Sequence, residues 1–311
     1  MNSIELYDIF CRCKGVTTDS RKICGGELFF ALHGDNFDGN RFAIQALKDG
    51  AAYAVVDSAE VVAEGGEYAA RLILVEDTLV ALQSLAAYHR EQLAIPIIGI
   101  VGSNGKTTTK ELVSRVLSQR YSVYATRGNL NNHIGVPLTL LAMDDSIEFG
   151  VVEMGASAQK EIELLCSISQ PNYGIITNIG NAHLEGFGGK EGIKRGKGEL
   201  YDFLEANGSR AFVPKEDQVL VDIARGQRLK WKDGNGKRGL STELGLTNAR
   251  AAKMGAVTIG ATDYLEDYVA ALMERNNGYE NDINDNDIRN AVIEMFRSYP
   301  SPKRAVDELY G

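Results

Sequence analysis

The sequence predicts an α/β protein in two parts: a small N-terminal α/β domain, then a larger one whose mostly parallel sheet is flanked by helices. Three observations carry that prediction. Continuous apolar runs such as Ile97–Val101 (IIGIV) lack polar alternation, the pattern of strands buried on both faces. Such runs alternate with segments of helical periodicity, and strands joined by crossover helices form parallel sheets. The chain has 311 residues, 44% of them hydrophobic, enough apolar material for two cores.

In the first domain, residues 52–57 (AYAVVD) and 71–75 (RLILV) read as buried strands. Residues 79–93 carry apolar side chains at helical spacing. Pro96 follows and cannot continue a helix, which sets domains of residues 1–94 and 95–311. In the second domain, strands are expected at Ile97–Val101, 121–125, 150–154 and 173–177. Helices are expected over 107–119, 137–142 and 159–167. Ligands of such sheets bind beyond the carboxyl ends of the strands. After residue 215 the alternation fades, and residues 226–239 and 276–287 read as polar loops. Asp282, Asn284 and Asn286 open with calcium-loop spacing. Asp287 occupies the glycine position and Ile293 that of the bidentate glutamate, so that reading fails.

Composition narrows the partners. A formal net charge of −9 and a pI near 5.1 argue against a nucleic-acid or anionic-membrane surface. The N-terminal MNSIELYDIF has no basic stretch leading into an apolar core, and no apolar run reaches spanning length. The expectation is a soluble, cytoplasmic protein without membrane insertion. Cys11, Cys13, Cys24 and Cys166 are too few for a disulfide framework and read as reduced structural thiols.

The chemistry concentrates in Gly102, Ser103, Asn104, Gly105, Lys106, Thr107 and Thr108, between a strand and a helix. Small residues let backbone N–H groups approach phosphate oxygens, and a helix N-terminus adds positive partial charge. Lys106 suits the β- and γ-phosphates and Thr107 a Mg²⁺ ion. The generic phosphate loop requires glycine at position 100, where this chain has Ile100. The loop alone leaves kinase, ATPase, GTPase and ligase open. Glu153, at a predicted strand end, is a hard oxygen donor suited to Mg²⁺. His183 alone reads first as a structural histidine, and Lys197 with Lys190 and Lys194 as a basic helix face. Asn129, Asn131 and Asn132 form a turn-prone segment whose amides can bind sugar or peptide. Ser20 and Arg21 suit the pyrophosphate of a nucleotide sugar, in a segment that is also an acceptable turn.

IIGIVGSNGKTTTKELV resembles the nucleotide loop of the Mur ligases, which is shorter than the generic one and accounts for Ile100. RGNLNNHIGVPLTLL (127–141) looks like the substrate-facing loop of the family's dipeptide-adding branch. VEMGA (152–156) and TNIGNAH (177–183) are similar to the family's metal-ligand segments. GIKRGKGEL (192–200) resembles the segment with its carbamylated lysine. In the first domain, Thr18-Asp19-Ser20-Arg21, Phe30-Ala31-Leu32 and Asp38-Gly39-Asn40-Arg41-Phe42 resemble the uridine-nucleotide module. The resemblance runs from residue 15 to 215.

The resemblance implies an ATP- and Mg²⁺-dependent amide ligase of peptidoglycan precursor synthesis. ATP phosphorylates the carboxylate of UDP-N-acetylmuramoyl-tripeptide, and the amine of D-alanyl-D-alanine then displaces phosphate. Lys106, His183 and Lys197 take catalytic roles. Thr107, Glu153, His183 and carbamylated Lys197 ligate Mg²⁺, and Ser20, Arg21, Asn129, Asn131 and Asn132 contact the substrate. A diaminopimelate- or lysine-adding relative and a catalytically silent nucleotide-binding module stay open. The family's third, acceptor-binding domain has no counterpart, although residues 248–252 (NARAA) and 299–304 (YPSPKR) faintly resemble segments of the central domain.

Overall fold

The computed structural model describes residues 2–34, 37–213 and 217–226. The contacts divide the chain into two units. One comprises residues up to Ala94 together with His133–Asp144, the other Ile95–Asn132 and the described residues from Asp145 onward.

The first unit begins with α1 (Ser3–Phe10), started by a capping box: the Asn2 side chain accepts from the Glu5 N–H while Glu5 reaches back to the Asn2 N–H. β1 (Val16–Thr17) and β2 (Leu28–Phe30) follow, then the hairpin β3 (His33–Gly34) and β4 (Phe37–Asp38). The chain continues through α2 (Ala43–Lys48), β5 (Tyr53–Val56), α3 (Ala59–Ala63), β6 (Leu72–Leu74) and α4 (Thr78–Leu93). Strands β1-β2-β5-β6 form a parallel sheet in that order. Phe29, Ala46, Leu47, Ala54 and Val56 build a core between this sheet and α2. Asp77 caps α4 by accepting from the Val80 N–H, and Ala94, at φ 49°, ends it just before Pro96.

The second unit opens with β7 (Ile97–Val101), α5 (Lys106–Leu117) and β8 (Val123–Ala125). The next helix, α6 (Gly135–Leu141), belongs to the first unit, although the sequence expectation was one cut at residue 94. The reason is packing. α6 lies on α4 with Val136, Leu140 and Leu141 buried; His89 Nε2 meets the Met143 carbonyl at 2.9 Å, and Gln83 Nε2 donates to the His133 carbonyl at 3.0 Å. A proline marks where a chain crosses between units, not where it returns.

β9 (Phe149–Glu153), α7 (Glu161–Ser169), β10 (Tyr173–Ile176), α8 (Leu184–Phe187), α9 (Lys190–Ala206), β11 (Arg210–Phe212) and α10 (Gln218–Gly226) complete the second unit. Its sheet is parallel throughout, in the order β11-β10-β7-β9-β8. β7 is the middle strand and the order reverses there, and sheets of this kind bind ligands beyond the carboxyl ends of the strands at such a point. Among the described residues, no helix is long and apolar enough to cross a membrane. The failed calcium loop and both faint resemblances of the tail lie outside the described residues.

Candidate active site

The residues after β7 leave the middle of the sheet through Gly102 (φ 155°) and enter α5 through Gly105 (φ 76°). Gly102 is required by space: a Cβ there would fall 1.9 Å from Thr177 Oγ1. The loop is braced from the segment after β10. Asn178 accepts the Ser103 N–H on its carbonyl and the Asn104 N–H on Oδ1, each at 3.2 Å. Thr177 Oγ1 and Asn178 Nδ2 donate to the Asn104 carbonyl at 2.6 and 2.8 Å, and the Gly180 N–H donates to Ser103 Oγ at 2.8 Å. Two loop N–H groups are therefore spent on the brace. The loop then runs into the N-terminus of α5, whose positive partial charge suits a phosphate.

Two lysines converge on this loop. Lys106 Nζ donates to the Gly102 carbonyl at 2.9 Å, and Lys197 Nζ, from α9, donates to the same oxygen at 3.2 Å. Lys197 is 2% exposed and its ammonium lies 5.4 Å from the centroid of the Phe187 ring. Burial, and then the neighbouring Lys106 charge, push the Lys197 pKa down to about 8. Burial lowers Lys106 as well, against the opposing pull of Glu153. α9 comes this close because it is built of glycines there. A Cβ at Gly192 would lie 1.7 Å from the Phe187 carbonyl, and one at Gly196 2.4 Å from its ring. Glu199, two residues on, accepts the Lys160 and Glu163 N–H groups at 2.7 and 2.9 Å and so ties α9 to the start of α7.

Glu153 ends β9 and is 2% exposed. Its backbone N–H donates to Thr126 Oγ1 at 3.0 Å, and buried Lys110 Nζ donates to the Thr126 carbonyl at 2.7 Å. Glu153 Oε2 accepts from Thr107 Oγ1 at 3.0 Å and Oε1 from Asn131 Nδ2 at 2.9 Å. A hydroxyl and a carboxylate side by side at a helix N-terminus are hard oxygen donors, the set that Mg²⁺ takes when phosphates and water fill its other positions. The donor chemistry fits that ion.

The structure thus gathers Gly102 to Thr107, Glu153, Lys197 and Asn131 at one end of the sheet. His183 stands just before α8 with φ 57°, makes no side-chain cap and is exposed, and among the described residues no hydrogen bond joins its ring to Glu153, Thr107 or Lys197. The described residues contain no group of three or more His, Cys, Asp or Glu placed to share a metal. Asn129 and Asn132 are exposed. In the first unit, Ser20 and Arg21 lie in a 3-10 turn, where the exposed Arg21 guanidinium makes two 2.8 Å hydrogen bonds to Asp19 and holds that carboxyl down to about 2.

Sequence reasoning missed Thr126, Phe187 and Asn178, whose only signal is a loop too short to hold itself. A cavity of about 550 Å³ in the first unit is lined by Asp38, Asn40 and Arg41, from the segment that resembles the uridine-nucleotide module, and by His33, Phe37 and Asp57, which sequence reasoning missed. Phe37 and Phe42 stack at its edge with centroids 5.7 Å apart, both exposed. Asn40 Nδ2 and His33 Nδ1 hold Asp57 at 2.7 and 3.0 Å, and Thr78 donates to it as well.

Comparison with known proteins points to one family. A sequence profile described as the Mur ligase middle domain matches residues 100–255, and one described as the Mur ligase family catalytic domain matches residues 12–90. The chain is 45% identical over 202 residues to the UDP-N-acetylmuramoyl-tripeptide–D-alanyl-D-alanine ligase of Bacillus subtilis, covering 65% of this chain and 44% of that protein. It is 40% identical over 204 residues to the Escherichia coli ligase of the same name, covering 66% and 44%. Among solved structures it resembles MurF from Acinetobacter baumannii, with TM-score 0.61, 38% identity and coverage of 68% of this chain and 46% of that one. MurF ligase from Thermotoga maritima, in complex with ADP, superposes with TM-score 0.61 at 32% identity, covering 71% and 49%. The chain spans about half the length of the relatives it matches.

Proposed function

The chain belongs to the Mur ligase family, and we propose that it binds ATP and UDP-N-acetylmuramoyl-tripeptide as part of the ligase that adds D-alanyl-D-alanine to that tripeptide. The observation that carries this reading is the convergence of Lys106, Lys197 and the Thr107–Glu153 pair where the strand order of the second sheet reverses. The first turn of α5 and Lys106 receive the ATP phosphates. Thr107 and Glu153 would hold Mg²⁺, and that ion would supply charge neutralisation for phosphoryl transfer.

Lys197 is the residue to carry a carbamate. With its pKa near 8, a sizeable fraction of its amine is neutral at physiological pH. That amine attacks CO₂, an N–C bond forms and a proton leaves to solvent, which turns a buried cation into a carboxylate-like metal ligand. Lys106, on the same carbonyl, supplies the compensating charge. His183 is kept as ligand of a second Mg²⁺, and its exposed ring is open to coordination.

The nucleoside end of the substrate is assigned to the cavity of the first unit. The stacked Phe37 and Phe42 rings suit a pyrimidine face. Asp57 accepts from hydroxyls, and Arg41, which contacts Asp38 at 3.5 Å, meets the pyrophosphate.

Calorimetry of the purified chain with ADP·Mg²⁺ and with UDP-N-acetylmuramoyl-tripeptide tests this, followed by phosphate release from ATP with D-alanyl-D-alanine present. Binding of both ligands, with ADP affinity lost in Lys106→Ala, is the expected result. Binding of neither would overturn the reading. Binding without dipeptide-dependent phosphate release would reduce it to a binding function.

A further inference from the structure

The sequence suggests a substrate contact for Asn131, yet in the structure its side chain is turned to Glu153. Asn131 Nδ2 donates to Glu153 Oε1 at 2.9 Å, while Thr107 Oγ1 occupies Oε2 at 3.0 Å. The backbone repeats the attachment, because the Gly155 N–H donates to the Asn131 carbonyl at 2.7 Å. Asn131 is therefore bound to the carboxyl end of β9 through both its side chain and its main chain. Gly155 makes room for it: a Cβ there would come within 3.2 Å of the Asn131 amide carbon and oxygen.

A carboxylate free to turn about its last bond offers a cation one oxygen or two. An amide donor fixed on Oε1 stops that rotation and leaves Oε2, the oxygen beside the Thr107 hydroxyl, as the one presented. Thr126 fixes the Glu153 backbone from the other side. We infer that Asn131 is a positioning residue for the metal site, holding Glu153 so that Oε2 and Thr107 Oγ1 face the cation together. Metal affinity, rather than affinity for the UDP-linked peptide, then depends on it. The inference rests on the nucleotide–metal reading of this site.

Mn²⁺, a paramagnetic stand-in for Mg²⁺, provides the test. Its binding in the presence of ADP is titrated by electron paramagnetic resonance for the wild-type chain, Asn131→Ala and Gly155→Ala. Binding of UDP-N-acetylmuramoyl-tripeptide without metal is measured alongside by calorimetry. Loss of a group that holds a metal ligand in place weakens binding roughly 10-fold or more. Asn131→Ala is expected to show that loss for Mn²⁺ with peptide affinity unchanged. Gly155→Ala displaces Asn131 without removing it and shifts Mn²⁺ affinity in the same direction by less. If Asn131→Ala does not fold, Gly155→Ala decides alone, and unchanged Mn²⁺ affinity in it overturns the inference. Unchanged Mn²⁺ affinity in folded Asn131→Ala, or a loss confined to the peptide, also overturns it and leaves the wider reading intact. A wild-type chain that binds no Mn²⁺ with ADP would sink both.

Discussion

Gly196 lies inside α9, where replacing glycine by alanine ordinarily stabilises a helix by about 1 kcal/mol. Here the opposite sign is expected. The new Cβ would sit 2.4 Å from Phe187 Cε1 and 2.7 Å from Cδ1, about 1 Å inside normal contact. The ring is 1% exposed and Lys197 lies over it, so it has nowhere to retreat. Overpacking of this kind costs about 1–3 kcal/mol, and an overlap of this depth belongs at the upper end. Subtracting the propensity gain leaves Gly196→Ala less stable by about 2 kcal/mol. Phe187→Ala alone should cost about 3–5 kcal/mol through its cavity. In that background the clash is gone, so adding Gly196→Ala should stabilise by about 1 kcal/mol, a coupling of about 3 kcal/mol between the two sites. Urea unfolding of the four proteins, followed by circular dichroism, closes the cycle. A Gly196→Ala chain more stable than wild type, by the same amount in both backgrounds, would refute the packing argument.

Two other predictions follow from the same geometry. Lys197 has its pKa depressed from 10.5 to about 8, so between those values the unfolded chain holds more protons than the folded one. In a chain kept free of CO₂, so that Lys197 stays a free amine, stability should therefore rise from about pH 8 to pH 10.5, by at most about 3 kcal/mol, and this contribution should be absent below pH 8, where both states are protonated. Comparing urea midpoints of wild type and Lys197→Met across that window checks it, and parallel curves would refute it. In the first unit, Arg21 is already held by Asp19 whereas Arg41 borders the cavity. Arg41→Ala should weaken UDP-N-acetylmuramoyl-tripeptide binding roughly tenfold, the scale of a lost charge-assisted hydrogen bond, and Arg21→Ala much less. Calorimetry giving the reverse order would return the pyrophosphate to Arg21.

The parallel strands were legible because burial on both faces writes them as continuous apolar runs: Ile97–Val101 has the same bounds in sequence and structure. α6 was visible as a helix but not as part of the first unit, since its partner α4 lies far back in the chain and periodicity says nothing about partners. The site divides in the same way. Lys106 and Thr107 stand in a loop whose pattern carries phosphate chemistry, Glu153 and Lys197 in segments singled out by family resemblance, and the structure brings all four to one end of the sheet. The cavity was legible in part: residues 38–42 carry the resemblance to the uridine-nucleotide module, whereas His33 and Asp57 stand apart from them across a hairpin, a helix and a strand and share no spacing with them. The same limit explains Asn131. Read locally, an asparagine in a turn offers its amide outward to a ligand; only the pairing of β7 with β9 brings Glu153 beside α5 and gives that amide an internal acceptor. The glycines make the complementary point. Gly102, Gly155, Gly192 and Gly196 read as turn formers or weak helix residues, yet at Gly102, Gly192 and Gly196 a hydroxyl, a carbonyl or a ring approaches too closely for a Cβ, and at Gly155 a Cβ would press on the Asn131 amide. Their role is to bring Lys197, Phe187, Asn131 and the phosphate loop within bonding distance, and that distance makes the lysine pair and the Thr107–Glu153 pair one site.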